Sequence, residues 1–363
     1  MNNIRVLHLI DSLDLGGAQT VIFGLLRHYD HSRFEIVLAA LHANRKSIFF
    51  KRAAELGVRV VPLSPQRSAP FFLCSLPWLL FKGRFDVVHC HLYVSNWVGK
   101  PLAKLFGVPV VISHDHCFEP FRFHNRLASI LDGWANRFAD RILAISEKIR
   151  ADLIKFERVS PERIEVISNG FSGSPAPDRK TRIQKIIGGG GRFVGWKRFD
   201  RFLLIASKLL ELDPEYLFIV VGGGPEESAL RSFAAQLGIA ESIVWVGILP
   251  RLETFFSAID LFILTSEREE VPMILLEAMH SGVPCACVAI NPARTALSDS
   301  LLSLDPQETE AQWAHSIHSL FQNSEHLSQL GARGQNHALK SYMAQDRMRR
   351  IEQIYVDLLS SNR

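Results

Sequence analysis

The segment Leu261-Phe-Ile-Leu-Thr-Ser-Glu-Arg-Glu-Glu-Val-Pro-Met-Ile-Leu-Leu-Glu-Ala-Met-His-Ser-Gly-Val-Pro284 decides how the chain reads. The apolar run Leu261 to Leu264 predicts a strand, and the polar run that follows predicts a loop at its carboxyl end. Pro272 then stands where the first turn of a helix tolerates it. The helix stays apolar until Gly282, which suits a left-handed cap, and Pro284 stops it. Glu269 lies in the loop and Glu277 inside the helix, with seven residues between them. A helix N-terminus offers free N–H groups and partial positive charge, a seat for phosphate. Two carboxylates beside such a seat can accept hydrogen bonds from sugar hydroxyls, so the combination points to a nucleotide-sugar. A plainer reading also fits: Glu270, Met273, Glu277, His280 and Ser281 share one helical face by spacing, which makes Glu277 a solvated surface residue.

Outward from this segment the same strand–helix alternation recurs. Strands are expected at Ile4 to Ile10, Phe34 to Leu41, Val58 to Leu63, Val87 to Cys90, Val108 to Ser113, Ile142 to Ile145 and Ile164 to Ile167, with helices between them. Asn169-Gly170 ends this set, and Phe171 to Lys180 has the composition of a linker. A second alternation runs through Tyr216 to Val221 and Ile243 to Val246 to the opening segment, and helices from about Thr309 finish the chain. Alternation of this kind implies parallel sheets covered on both faces, and two such units leave a cleft at the carboxyl ends of their strands.

With 363 residues the chain is comfortable for two domains, and 47% hydrophobic with 21% charged residues is the composition of a globular protein. Asp11 and Asp14 interrupt the first apolar stretch, so it reads as strand and loop rather than a secretion signal. The apolar run Pro70 to Phe81 is too short to span a membrane and is broken by Pro77. Cys74, Cys90, Cys117, Cys285 and Cys287 contain no CxxC pair, which suits a reducing, cytoplasmic compartment. Net charge is +4 but uneven: residues 1–170 carry 22 Lys and Arg against 15 Asp and Glu. A basic first half can face an anionic membrane surface, or carry no partner at all. Within it Trp78, Phe81, Lys82 and Arg84, and Phe121, Arg122, Phe123 and Arg126, mix aromatic and cationic groups as interfacial segments do.

The remaining motifs are individually loose. Arg192 and Lys197 stand five positions apart after a strand-like start; Arg192 can grip phosphate bidentately and Lys197 can act as a point charge. Val220-Val-Gly-Gly-Gly-Pro225 and Gly16-Gly17 are glycine turns after strands, where backbone can come close to a ligand. His114 closes the strand Val108 to Ser113 at the edge where sites form. A metal reading of His89, His91, His114 and His116 matches no zinc spacing, so no metal site is expected.

Taken in order, Gly16-Gly-Ala-Gln19, Phe85-Asp-Val-Val-His-Cys-His91, His114, Ala139 to Glu147, Val166 to Gly170, Arg192 with Lys197, Val221 to Pro225, Ala258 to Ser266 and Glu269 with Glu277 resemble the family-four glycosyltransferases over nearly the whole chain. The resemblance implies an α/β protein of the GT-B fold, two Rossmann-like domains facing an interdomain cleft. Residues 1–170 would bind acceptor, 171–340 would bind nucleotide-sugar, and a C-terminal helix in 341–363 would pack back toward the first domain. It implies that Arg192 and Lys197 hold the donor diphosphate, approached by the Gly16 and Gly17 amides, with Gly223 also at the donor. Glu277 would accept from the ribose, Glu269 from the transferred sugar, and His114 would sit by the reacting centre. Such enzymes retain anomeric configuration and use no metal or other cofactor. Three departures stand out: Glu270 and Arg198 occupy positions where the family has glycine, Gly188-Gly-Gly190 replaces apolar strand residues, and Ala289 to Ser300 lacks the usual Gly-Gly and Glu.

The expected protein is a retaining hexosyltransferase of the cytoplasm or the inner membrane face. It would move a sugar, from a uridine diphosphate donor, to a lipid-linked or growing glycan in polysaccharide, lipopolysaccharide or capsule synthesis. No nucleic acid is expected as a partner. Two other classes fit the same residues: an inactive GT-B partner within a glycan assembly, and a nucleotide-sugar epimerase.

Overall fold

Short runs of Val, Ile and Leu bounded by glycine or polar loops favour strands buried on both faces, as parallel sheets require. A computed structural model shows this arrangement twice; it describes residues 3–14, 16–43, 47–64, 71–116, 126–173, 185–249, 251–269, 271–288 and 297–362. Phe121, Arg122, Phe123, Glu270 and most of the Phe171 to Lys180 and Ala289 to Ser300 segments lie outside these residues. The chain divides into one unit of residues 1–172 with 344–363 and a second of residues 173–343.

The first unit contains β1 (Ile4–Ser12), α1 (Gly17–Leu26), β2 (Phe34–His42), α2 (Ile48–Glu55), β3 (Arg59–Pro62), α3 (Phe72–Gly83), β4 (Val87–His91), α4 (Tyr93–Leu105), β5 (Val110–Asp115), α5 (Arg126–Ala135), β6 (Arg141–Ala144), α6 (Glu147–Glu157) and β7 (Ile164–Val166). The sheet is parallel throughout, in the order β3-β2-β1-β4-β5-β6-β7. Right-handed crossovers then place α1 and α2 on one face and α3 to α6 on the other. Side chains follow: Leu7, Leu9, Val88 and Val111 pack with Leu76, Leu79 and Ala103 of α3 and α4. His8 and His89, the alternate positions, point to the opposite face.

The second unit contains β8 (Ile186–Arg192), α7 (Phe199–Leu212), β9 (Leu217–Gly223), α8 (Glu227–Gln236), β10 (Ile243–Gly247), α9 (Glu253–Ala258), β11 (Leu261–Leu264), α10 (Met273–His280), β12 (Cys285–Val288), β13 (Leu302–Leu304), α11 (Glu310–Phe321) and α12 (Ser324–Ser341). Its parallel order, β10-β9-β8-β11-β12-β13, repeats the topology of the first. In both sheets the strand order reverses direction once, at β1/β4 and at β8/β11, and ligands bind at such switch points. Among the described residues no helix is long and apolar enough to cross a membrane.

The last helix, α13 (Ala344–Ser361), belongs to the first unit, where it packs against α1. The Ala344 N–H donates to Phe171 O at 2.9 Å, and Met348, Ile351, Ile354 and Tyr355 are buried. A Cβ on Gly170 would stand 2.7 Å from Ala344 Cα, so glycine is what allows the two segments to touch.

Candidate active site

The second unit assembles its polar groups around the β8/β11 switch point. Arg192, the last residue of β8, is exposed, and it pairs in register with Gly223 at the end of β9. Gly222 has φ +136°, and a Cβ there would meet Gly191 O at 1.9 Å. A Cβ on Gly224 would come within 2.5 Å of Phe193 O. The sequence suggests that this glycine turn lets backbone come close to a ligand; the structure shows that Gly222 and Gly224 also admit the backbone of Gly191 and Phe193. The Gly223 carbonyl accepts from Phe193 N–H at 3.0 Å.

After β8 the chain makes a tight turn, Gly195–Lys197, which is laced to the loop after β11. Thr265 Oγ1 donates to Lys197 O at 3.2 Å, and Glu267 N–H donates to Trp196 O at 2.7 Å. These bonds bring Lys197 and Glu269, separated by 72 residues, into an ion pair. Both side chains are mostly shielded, at 18% and 15% exposure. Beside Lys197 a small depression is lined by Gly190, Phe199, Ile263, Thr265 and Ser266. The Ser266 hydroxyl is buried there without a hydrogen-bond partner. Ser266 stands inside the segment that opened the sequence reading, yet serine in a loop carries no pattern that singles it out.

The helix of that segment begins one residue later than expected. Pro272 is the N-cap of α10, with no side chain capping the helix, and Gly282 takes the left-handed conformation with φ +70°. Glu277 is half-buried on α10, so it is not a fully solvated residue. The glycines of β8 form a regular strand whose missing side chains are replaced by neighbours. A Cβ on Gly188 would meet Ile259 at 2.5 Å, and one on Gly189 would meet Phe202 at 2.8 Å.

In the first unit Gly16 is the N-cap of α1 with no side chain capping it, and space lies open where a Gly17 Cβ would point. This helix start follows β1 at the β1/β4 switch point. His114 ends near it but is buried to 2% exposure, with both ring nitrogens unpartnered. Its ring stacks on His116 at 4.1 Å and on His89 at 5.4 Å between centroids.

His114 is one of five histidines, with His8, His89, His91 and His116, gathered under the sheet. His8 was given no role by the sequence and His116 entered only the metal reading; the one signal for His8 is a polar residue at an inward strand position. Burial lowers every member's pKa, His8 to about 3 and His116 to about 4, and keeps the imidazoles neutral. Their nitrogens come within metal-binding reach in two triplets, His8 with His89 and His91, and His91 with His114 and His116. Several of these nitrogens are engaged in one hydrogen-bonded row, while both nitrogens of His114 stay outside it. His91 spans from His8 Nδ1 at 2.8 Å to His116 Nε2 at 3.0 Å. His8 Nε2 meets the Tyr29 hydroxyl at 2.5 Å, that hydroxyl meets the Tyr355 hydroxyl at 2.9 Å, and Tyr355 meets His89 Nδ1 at 2.6 Å.

Comparison with known proteins accords with both units. The family described as Glycosyltransferase Family 4 matches residues 15–172, and the family described as Glycosyl transferases group 1 matches residues 177–337. EpsF of Bacillus subtilis is 26% identical over 302 residues, 77% of this chain and 78% of that one. The Escherichia coli UDP-Gal:alpha-D-GlcNAc-diphosphoundecaprenol alpha-1,3-galactosyltransferase is 28% identical over 238 residues, 60% of this chain and 62% of that one. Among solved structures, Anabaena HepE in complex with UDP superimposes with a TM-score of 0.82 at 16% identity, covering 98% of this chain and 100% of that one. Two family patterns in order, on two parallel sheets of GT-B type, make the chain a member of the family-four glycosyltransferases.

Proposed function

We propose that this glycosyltransferase takes its sugar from a uridine diphosphate donor, with retention and without a metal, and passes it to a lipid-linked or growing glycan acceptor. The reading is supported by the UDP bound to the structural relative HepE and by the diphosphoundecaprenol acceptor in the name of the Escherichia coli relative. It places the enzyme in the cytoplasm, at the inner face of the cell membrane where such an acceptor is presented.

The observation that carries the proposal is the Lys197–Glu269 ion pair beside an exposed Arg192 and the unpartnered Ser266 hydroxyl. An incoming diphosphate competes with Glu269 for Lys197. Once displaced, Glu269 is free to accept from the sugar's hydroxyls, so donor capture arms the carboxylate. As the glycosidic bond breaks, charge grows on the leaving phosphate. Arg192 as a fork and Lys197 as a point charge stabilise it, the task a metal performs elsewhere. Glu277 holds the ribose; in the first unit, the α1 start at Gly16 and Gly17, which no side chain caps, is a second seat for phosphate. His114, the sequence's candidate for the reacting centre, is held neutral by burial within the first unit.

The test is UDP calorimetry together with steady-state transfer. Lys197→Ala should reduce turnover at saturating donor by about 10²-fold, and Arg192→Lys should fail similarly. Glu277→Ala should weaken UDP by roughly tenfold, the loss of a charge-assisted hydrogen bond. Glu269→Gln should behave oppositely in the two assays, binding UDP more tightly because no ion pair need break, yet transferring more slowly. Weaker UDP binding by Glu269→Gln, or full turnover by Lys197→Ala, refutes the assignment. Turnover that persists in EDTA is expected.

A further inference from the structure

Helix α5 is built inside out. Its outward positions Leu127, Ile130, Leu131 and Trp134 follow the i, i+3, i+4, i+7 spacing of a single stripe, and they are 63%, 61%, 39% and 48% exposed. Its inward side carries Asp132, only 3% exposed, whose carboxylate accepts from the Trp97 indole of α4. Below it Lys100 of α4 donates to Asn136 at 2.5 Å, and Asn136 donates to Glu157 at 2.6 Å. These bonds fix the orientation, so the apolar stripe faces water by construction. Contiguous exposed apolar surface of this kind marks an interaction site.

The stripe does not stand alone. Helix α4 touches both α3 and α5 on the same sheet face. On α3, Trp78 is 63% and Phe81 68% exposed, close to the exposed cations Lys82 and Arg84. Arg137, also exposed, continues the α5 stripe. Across α3, α4 and α5 the single acidic residue is the buried Asp132. An apolar and aromatic surface bordered by cations, with no exposed carboxylate on α3, α4 or α5, complements an anionic lipid surface, and the exposed Glu147 of the adjoining α6 is offset there by Lys148 and Arg150. Aromatic and aliphatic groups settle at the headgroup boundary while Lys and Arg meet lipid phosphates.

We infer that the outer surface of α3 and α5 docks the first unit on an anionic bilayer. The inference rests on the proposed lipid-linked acceptor, and it names the face that brings the enzyme to it.

The test is sedimentation of the full chain with vesicles of phosphatidylcholine alone or with 30% phosphatidylglycerol, with UDP binding measured in parallel. Binding should require the anionic lipid and fall several-fold from 0.1 to 0.5 M salt. Leu127→Ser with Ile130→Ser should lower partitioning at least tenfold, Lys82→Glu with Arg137→Glu should remove the preference for anionic lipid, and all should bind UDP normally. Val244→Ser, an equally exposed residue of the second unit at 55%, should change nothing. Absent vesicle binding, or equal binding to neutral and anionic vesicles, overturns the inference. Dimerisation without vesicles that Ile130→Ser abolishes also overturns it, assigning the stripe to a second copy. Vesicle binding without UDP affinity would leave the docking face standing and refute the donor reading instead.

Discussion

Arg198 shows how one residue can depart from its family's pattern and still fold. Glycine is usual at this position, and the structure gives the reason: φ is +51°, the left-handed region that side chains avoid. Arg198 tolerates it while its guanidinium is held by Asp200 at 2.9 to 3.2 Å. That ion pair is substantially exposed and contributes little. Arg198→Gly should therefore stabilise the second unit by about 1 kcal/mol, seen as a raised thermal midpoint. An unchanged or lowered midpoint would show the Asp200 contact outweighing the strain. The candidate site residues could be proposed at this scale for a chemical reason. Arg192 ends a strand, Lys197 and Glu269 lie in the turns that follow strands, and Glu277 lies within a helix that follows such a turn, places where charge has few structural uses. The mutual pairing of Lys197 and Glu269 was not readable, because it depends on two loops being laced together by backbone bonds.

Among elements, β8 carries the largest departure from what a buried strand should contain. Four consecutive glycines, Gly188 to Gly191, offer no side chains, and glycine weakens a strand. The strand persists because Ile259, Phe255, Phe202 and Ile274 reach across the vacated space. Refilling it should hurt: Gly188→Ala should cost about 1–3 kcal/mol by overpacking against Ile259 and Phe255. Ile259→Val should recover part of that loss, and a double-mutant cycle in urea would measure the coupling. Strictly additive effects would mean the two sites do not compete for the same space. The strands themselves were legible because parallel sheets leave near-continuous apolar runs. Helix α5 was not, since its stripe predicts a helix but assigns the apolar face inward. Only the partners of Asp132 and Asn136 reveal the reversal.

At the scale of the whole molecule, the chain ends where it began. Tyr355 lies 326 residues from Tyr29, and the two hydroxyls meet in the first unit's interior. Five neutral imidazoles buried beside them make that interior sensitive to acid. The unfolded chain binds protons below about pH 6.5, whereas the folded one does not until far lower. Stability is thus fully present above that value and is lost as pH falls, by up to about 1.4 kcal/mol per histidine for each unit. Urea midpoints should drop steeply between pH 7 and pH 5, and a flat profile would mean the histidines titrate normally when folded. The row His89–Tyr355–Tyr29–His8–His91–His116 has a subtler consequence. Its five links share six protons and each link needs one, so one proton is spare. The interior imidazoles cannot carry it, and a tyrosine could only by turning its hydroxyl out of the row, which favours the two ends. At one end the spare proton rests on His89 Nε2, a buried atom with nothing to receive it. At the other it rests on His116 Nδ1, which also has no hydrogen-bond partner but lies near Asn169, whose Oδ1 is an equally unpartnered acceptor. A buried N–H left without an acceptor is costly, and only the His116 end has an acceptor within reach of a small adjustment, so the row is polarised toward His116. Nitrogen NMR should find His116 as the Nδ1–H tautomer. Tyr355→Phe, which severs the row, should let His89 and His116 choose independently: a tautomer written at one end of the polypeptide is read at a strand edge more than two hundred residues away.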